Sequence, residues 1–126
     1  MAVAAWIFYD KAKEYLMDGT FDVDIASDFQ MHLFTSASNA SLSTLTALTS
    51  LTNQLSSARG YTLSGKDLAQ TWAIGASASE MRFDATAVIW TASGGNLGSA
   101  SAGTNTKFVV IVVKTGSSSK DGCARR

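Results

Sequence analysis

Phe108–Val113 is an unbroken run of six apolar residues, five of them β-branched, set between Lys107 and Lys114. A run this short and this rich in Val and Ile reads as a strand covered on both faces, since a half-exposed strand alternates apolar and polar side chains. Such a strand needs a neighbour on each side, or it leaves an aggregation-prone edge. The neighbour must come from the same chain or from another subunit. This run therefore commits the rest of the sequence to supplying a sheet.

Alternating segments answer that demand. Phe21–Ile25 is apolar at 21, 23 and 25 and acidic at Asp22 and Asp24. Asp28–Thr35 puts Phe29, Met31, Leu33 and Thr35 on one face and Gln30, His32 and Phe34 on the other, which predicts a surface or edge position for His32. In Gln70–Ile74, Trp72 and Ile74 share a face. In Met81–Trp90, Met81, Phe83, Ala85, Ala87 and Ile89 oppose Arg82, Asp84, Thr86, Val88 and Trp90. The Arg82/Asp84 end reads as wet, and Val88 with Trp90 predicts cover on both faces further along.

The connections have a different texture. Ser36–Leu55 is rich in Ser, Thr, Ala and Asn, with Leu42, Leu45, Leu48 and Leu51 at every third position. The interspersed threonines weaken a long helix, so the segment reads as a covering loop with a short helical turn whose leucines cap the core. Ser56–Gly65 is a turn-rich connection holding Tyr61. Ser93–Gly103 is a Gly/Ser/Ala loop long enough to reach a partner, with Leu97 as its candidate contact. One helix is predicted over 3–17, where Ala5, Tyr9, Ala12 and Leu16 recur at helical spacing and Gly19 follows as a stop. A polar tail is predicted over 116–126, after a single β-rich domain spanning 1–115.

Composition narrows function. A chain of 126 residues and 13.2 kDa is one domain. Area scaling gives a folded surface of about 6,400 Å² against about 19,000 Å² unfolded, so a core forms without disulfides or metal. The chain holds 30 Ser and Thr but one His, one Cys and no Pro. Acid–base and metal chemistry lean on His and Cys, so no enzyme, cofactor or metal site is expected. Ten basic and ten acidic residues cancel, which argues against nucleic acid and suits a protein that lives in an assembly. The apolar opening lacks a basic start and meets Asp10, Lys11 and Lys13 at once, unlike a signal peptide, and no run approaches the roughly 20 residues of a membrane span. The chain reads as made in the cytoplasm.

The short motifs do not survive inspection. Asp22, Asp24 and Asp28 suggest a calcium loop, but Ala26, Ser27 and Leu33 fall where Asp/Asn, Gly and Glu are required. Asn39-Ala40-Ser41 is a common triplet with nothing to indicate secretion. Ser117–Lys120 has S-x-x-K spacing without its companion motifs, and it lies in the tail. The Gly94-Gly95-Asn96-Leu97-Gly98 loop leads toward a strand, whereas a phosphate loop opens a helix. No Ser or Asp is spaced to form a triad with His32.

The N-terminus is the exception. Trp6, Ile7, Phe8 and Tyr9 are four large apolar residues in succession, too many for one helix face, and they read as an arm that binds a partner. Trp72 and Trp90 offer a different class, a carbohydrate-binding surface, although strand patterns favour core packing for both.

Several stretches carry a resemblance. They are Trp6-Ile-Phe-Tyr-Asp-Lys-Ala-Lys-Glu-Tyr running into Asp18-Gly-Thr-Phe-Asp-Val-Asp, then Phe29-Gln-Met-His-Leu-Phe-Thr-Ser-Ala-Ser-Asn-Ala, Leu51-Thr-Asn-Gln-Leu, Gly60-Tyr-Thr and Trp90-Thr-Ala-Ser-Gly-Gly. In this order, over about residues 3–95, the chain resembles a family of small proteins encoded among the head genes of tailed bacteriophages. That neighbourhood includes capsid cement (decoration) proteins, small β-sandwich or jelly-roll modules that bind outside the shell between capsomers. The resemblance implies a virion protein with the major capsid protein as partner and with self-association or interlinking between subunits. A head–tail connector or tail component is the alternative. Relatives are expected to continue past Phe108–Val113 with further strand sequence, so a neighbouring subunit is one candidate to complete the sheet.

Overall fold

A computed structural model describes residues 6–20, 29–74, 81–97, 105–114 and 123–125, the backbone alone for 71–74, 81–83 and 123–125. The chain is mainly strand with one short helix. The elements are β1 (Ile7–Phe8), α1 (Asp10–Met17), β2 (Phe29–Thr35), a 3₁₀ turn (Leu48–Ser50), β3 (Lys66–Asp67), β4 (Gln70–Ile74), β5 (Met81–Ala85), β6 (Thr106–Val113) and β7 (Cys123–Arg125). Five strands form an antiparallel sheet in the order β1-β7-β6-β2-β3, and β4 and β5 pair separately.

The apolar run anchors this sheet as β6. Its partner on one side is β2, in a register from Phe29↔Val113 to Phe34↔Phe108 that shifts at Thr35. On the other side it pairs with β7 of the same chain through Val110↔Arg125, Ile111↔Ala124 and Val112↔Cys123. The polar tail predicted over 116–126 is thus corrected at Cys123–Arg125, which is sheet. Backbone pairing asks nothing of side-chain polarity, so a polar segment beside an apolar strand can still satisfy that strand's N–H and C=O groups.

Among the described residues two clusters form the core. Tyr9, Ala12, Phe29, Phe34, Ala40, Leu68, Val110, Val112 and Val113 make the larger one, and Leu33, Leu55 and Tyr61 the smaller. Leu33 and Phe34 are adjacent in β2 and both buried, so both faces of that end of the strand are covered. As expected, Leu45, Leu48 and Leu51 of the long connection pack on the core, while Leu42 stays exposed. Val88 and Trp90 each pack against a cluster although the strand ends at Ala85, short of the Met81–Trp90 expected. The strand predicted over Phe21–Ile25 lies outside the described residues.

The helix predicted over 3–17 is corrected to Asp10–Met17. Tyr9 is extended (φ −66°, ψ 147°), fully buried, and donates its hydroxyl to the Ala40 carbonyl at 2.8 Å. The Asp10 amide is then taken by the Ser43 carbonyl at 2.9 Å, and Ser43 Oγ donates to Asp10 Oδ2 at 3.2 Å. These contacts fix the helix start, where an acidic residue also suits the helix dipole. Gly19, at φ +74°, ends it as expected.

Candidate interaction surface

The two edges of the five-stranded sheet differ in chemistry. β3 presents Lys66 and Asp67, both exposed. Asp67 accepts from Gln30 Nε2 and Lys114 Nζ, each at 2.9 Å, and the lysine first and then the amide hold its carboxyl below the usual range. Charge at an edge deters strand addition. β1, at the other edge, carries Ile7 and Phe8, which are 39% and 50% exposed, and Trp6 just before it is 51% exposed. Among the described residues of β1 there is no such charge.

α1 extends the apolar surface. Leu16 and Met17 are exposed, Met17 at 89%, and with Phe8 and Lys13 they line an open hollow. The charges of the helix are internally matched. Lys11 Nζ meets Glu14 Oε1 at 2.6 Å and also sits 4.8 Å from the Tyr15 ring centre. Lys13 Nζ meets Asp10 Oδ1 at 3.0 Å, and Lys13 foremost, with Ser43, holds the Asp10 carboxyl below its usual range. What remains on offer beside β1, among the described residues, is an apolar face whose one lysine is already paired.

Of the four predicted arm residues, Trp6, Ile7 and Phe8 lie together on this edge. Tyr9 is corrected to a core residue, since its ring fills the larger cluster. Leu97 is also corrected in part. It is half-buried and packs against the Leu33–Leu55–Tyr61 cluster, so it supports its own loop. Leu16 and Met17 were not anticipated. The helical spacing placed Leu16 inward, but a helix starting at Asp10 buries only Ala12. The signal was the sequence Tyr15-Leu16-Met17 in the last turn, ahead of Asp18 and Gly19, an apolar triplet that no single helix face can hide.

Trp90 has a different surrounding. Its ring lies 6.1 Å from that of Tyr61 at 45°, Lys66 Nζ stands 5.9 Å from its centre, and the same lysine donates to the Ile89 carbonyl. A half-buried ring held in this way presents little flat face for a sugar. The Trp72 side chain lies outside the described atoms.

His32 is corrected from a surface position to one only 2% exposed. Gln54 Nε2 lies 3.0 Å from His32 Nδ1, 2.8 Å from the Tyr61 hydroxyl and 2.8 Å from the Leu63 carbonyl. The Leu33 amide donates to the Tyr61 hydroxyl at 3.2 Å. Burial lowers the His32 pKa, and a hydrogen bond to the Leu63 backbone opposes that shift without cancelling it. His32 Nε2 is buried without a hydrogen-bond partner. Its neighbours are an amide, a phenol and a carbonyl, which shape a polar seam in the core. Among the described residues no group of three or more His, Cys, Asp and Glu is placed to hold a metal, and no helix is long and apolar enough to cross a membrane. No family model, curated protein or solved structure matches the chain.

Proposed function

We propose that this chain is a structural protein of a tailed-phage virion, a cement protein that binds the outside of the capsid between capsomers and stabilises the shell. The observation that carries the reading is the apolar edge formed by Trp6, Ile7, Phe8, Leu16 and Met17 beside a helix whose charges are paired among themselves. Such a surface is suited to assembly with uncharged protein and offers little to a phosphate backbone. The resemblance of residues 3–95 to phage head proteins supplies the kind of assembly. A small β-sandwich or jelly-roll is the architecture we attach to it, with the Ser/Thr-rich connections facing the major capsid protein.

Repetition makes weak contacts sufficient. A subunit bound at many equivalent joints gains from effective concentration, so no single contact need be tight. The test is copy number in purified particles. Hundreds of copies per particle support cement, whereas a ring-sized number, about a dozen, assigns the chain to the neck or tail. Absence from particles removes both.

A further inference from the structure

We propose that two copies of this chain pair edge to edge through β1, antiparallel about a two-fold axis at Ile7. The register follows from the strand itself. With Ile7 opposite Ile7 of the second copy, Trp6 of each lies opposite Phe8 of the other, and alternation puts Trp6 and Phe8 on one face of the strand. Phe8 is also a wall of the hollow it shares with Lys13, Leu16 and Met17. The indole of one copy therefore enters the hollow of the other, and the contact is made twice.

Several observations select a second copy as the occupant. Among the described residues the only charge in the wall is Lys13, already paired with Asp10 at 3.0 Å, so the hollow calls for no acidic partner, while an indole face suits the nearby ammonium. The chain has zero net charge, and two copies meet without repulsion. The five exposed apolar residues offer on the order of 500 Å² per copy, or about 1,000 Å² in a pair, near the lower bound for a specific if weak interface. The opposite edge ends in Lys66 and Asp67, so strand addition stops at two copies. This pairing deepens the cement reading, on which it rests only in leaving the Ser/Thr-rich connections to the shell.

Sedimentation equilibrium of the full chain at about 100 µM is the test, at a concentration that populates a weak pair. The expected mass is two chains. Phe8→Asp and Met17→Asp should each bring it to one chain with the far-UV spectrum unchanged. Met17 is 89% exposed, so its substitution cannot act by emptying the core. Leu63→Asp, at a position 51% exposed elsewhere, should leave two chains. In a Cys123→Ser background, a short bis-maleimide should link Ile7→Cys to itself and fail to link Lys66→Cys. A one-chain mass for the unaltered protein overturns the pairing, as does a two-chain mass that survives both Asp substitutions. A pair that forms in solution but is missing from particles overturns the cement reading alone. Full particle occupancy by a chain of single mass overturns the pairing alone.

Discussion

Two residues show how tightly the β2 neighbourhood is built. Gly65 adopts φ +67°, and a Cβ there would lie 2.6 Å from the Met31 carbonyl oxygen and 2.8 Å from His32 Cε1. Gly19 has a similar φ of +74° but nothing within 4 Å. Both lose about 1 kcal/mol on substitution by Ala from the left-handed backbone alone. Gly65→Ala must also displace a strand carbonyl, so its loss should be at least about 2 kcal/mol. Urea unfolding of the two variants checks the difference, and equal midpoints would show that β2 yields freely. His32 gives a pH signature. Burial holds its folded pKa below the ordinary 6.5, while the unfolded chain protonates near that value. Stability is therefore complete above about pH 6.5 and falls below it, at up to about 1.4 kcal/mol per unit, until the folded state also takes up the proton. Asp10 and Asp67 are held below 3.8 by their lysines first, so their loss sets in as pH falls through about 3.8, outside the window of about pH 5.5–7.5 that reads His32. Unfolding midpoints at about pH 7.5 and 5.5 should differ for the native chain and converge in His32→Leu. A slope that persists in the variant would assign it to other groups.

Among the elements, β1 and α1 meet at Tyr9, and the border between core and surface runs through that residue. Removing residues 1–8 takes away only exposed side chains of the described segment and should leave a β-rich fold. Removing residues 1–9 also empties the Tyr9 site. The related Tyr9→Ala should cost about 3–5 kcal/mol, and Tyr9→Phe about 1 kcal/mol for the hydroxyl bond to Ala40. Thermal unfolding of the two truncations separates them, and equal melting temperatures would place Tyr9 outside the core. The same border explains what the sequence made legible. Phe108–Val113 is legible as a central strand because a β-branched apolar run needs no long-range information, although Phe108, Val109 and Ile111 are half-buried where cover on both faces is expected. β1 was read as helix because a two-residue strand has no period, and its partner lies at Cys123–Arg125, at the far end of the sequence. His32 was misplaced because alternation assumes one open face, whereas Gln54, Tyr61 and Leu63 cover β2 from a loop with no periodic signal. On the surface, Trp6, Ile7 and Phe8 were legible as excess apolar residues. Leu16 and Met17 were not, since their exposure depends on where the helix begins.

At the scale of the whole molecule, charge and apolar area are separated by edge. The β3 edge carries Lys66, Asp67 and Lys114, and the β1 edge carries aromatic and aliphatic side chains with matched helix charges beside them. Association through β1 should therefore be driven by apolar burial, with little Coulombic share. Salt distinguishes the two. Raising NaCl from about 50 mM to about 500 mM shortens the screening length from roughly 14 Å to roughly 4 Å, which weakens attachment through charged surfaces. Apolar association should hold or tighten over that range and show a negative heat-capacity change on binding. Titration calorimetry of self-association, with particle occupancy measured across the same salt series, reads both quantities. Self-association and occupancy that stay level with salt, beside a heat capacity that falls on binding, are the expected results. A severalfold loss of self-association at high salt would move the contact between copies to the charged β3 edge and take the pairing role away from Trp6, Ile7 and Phe8.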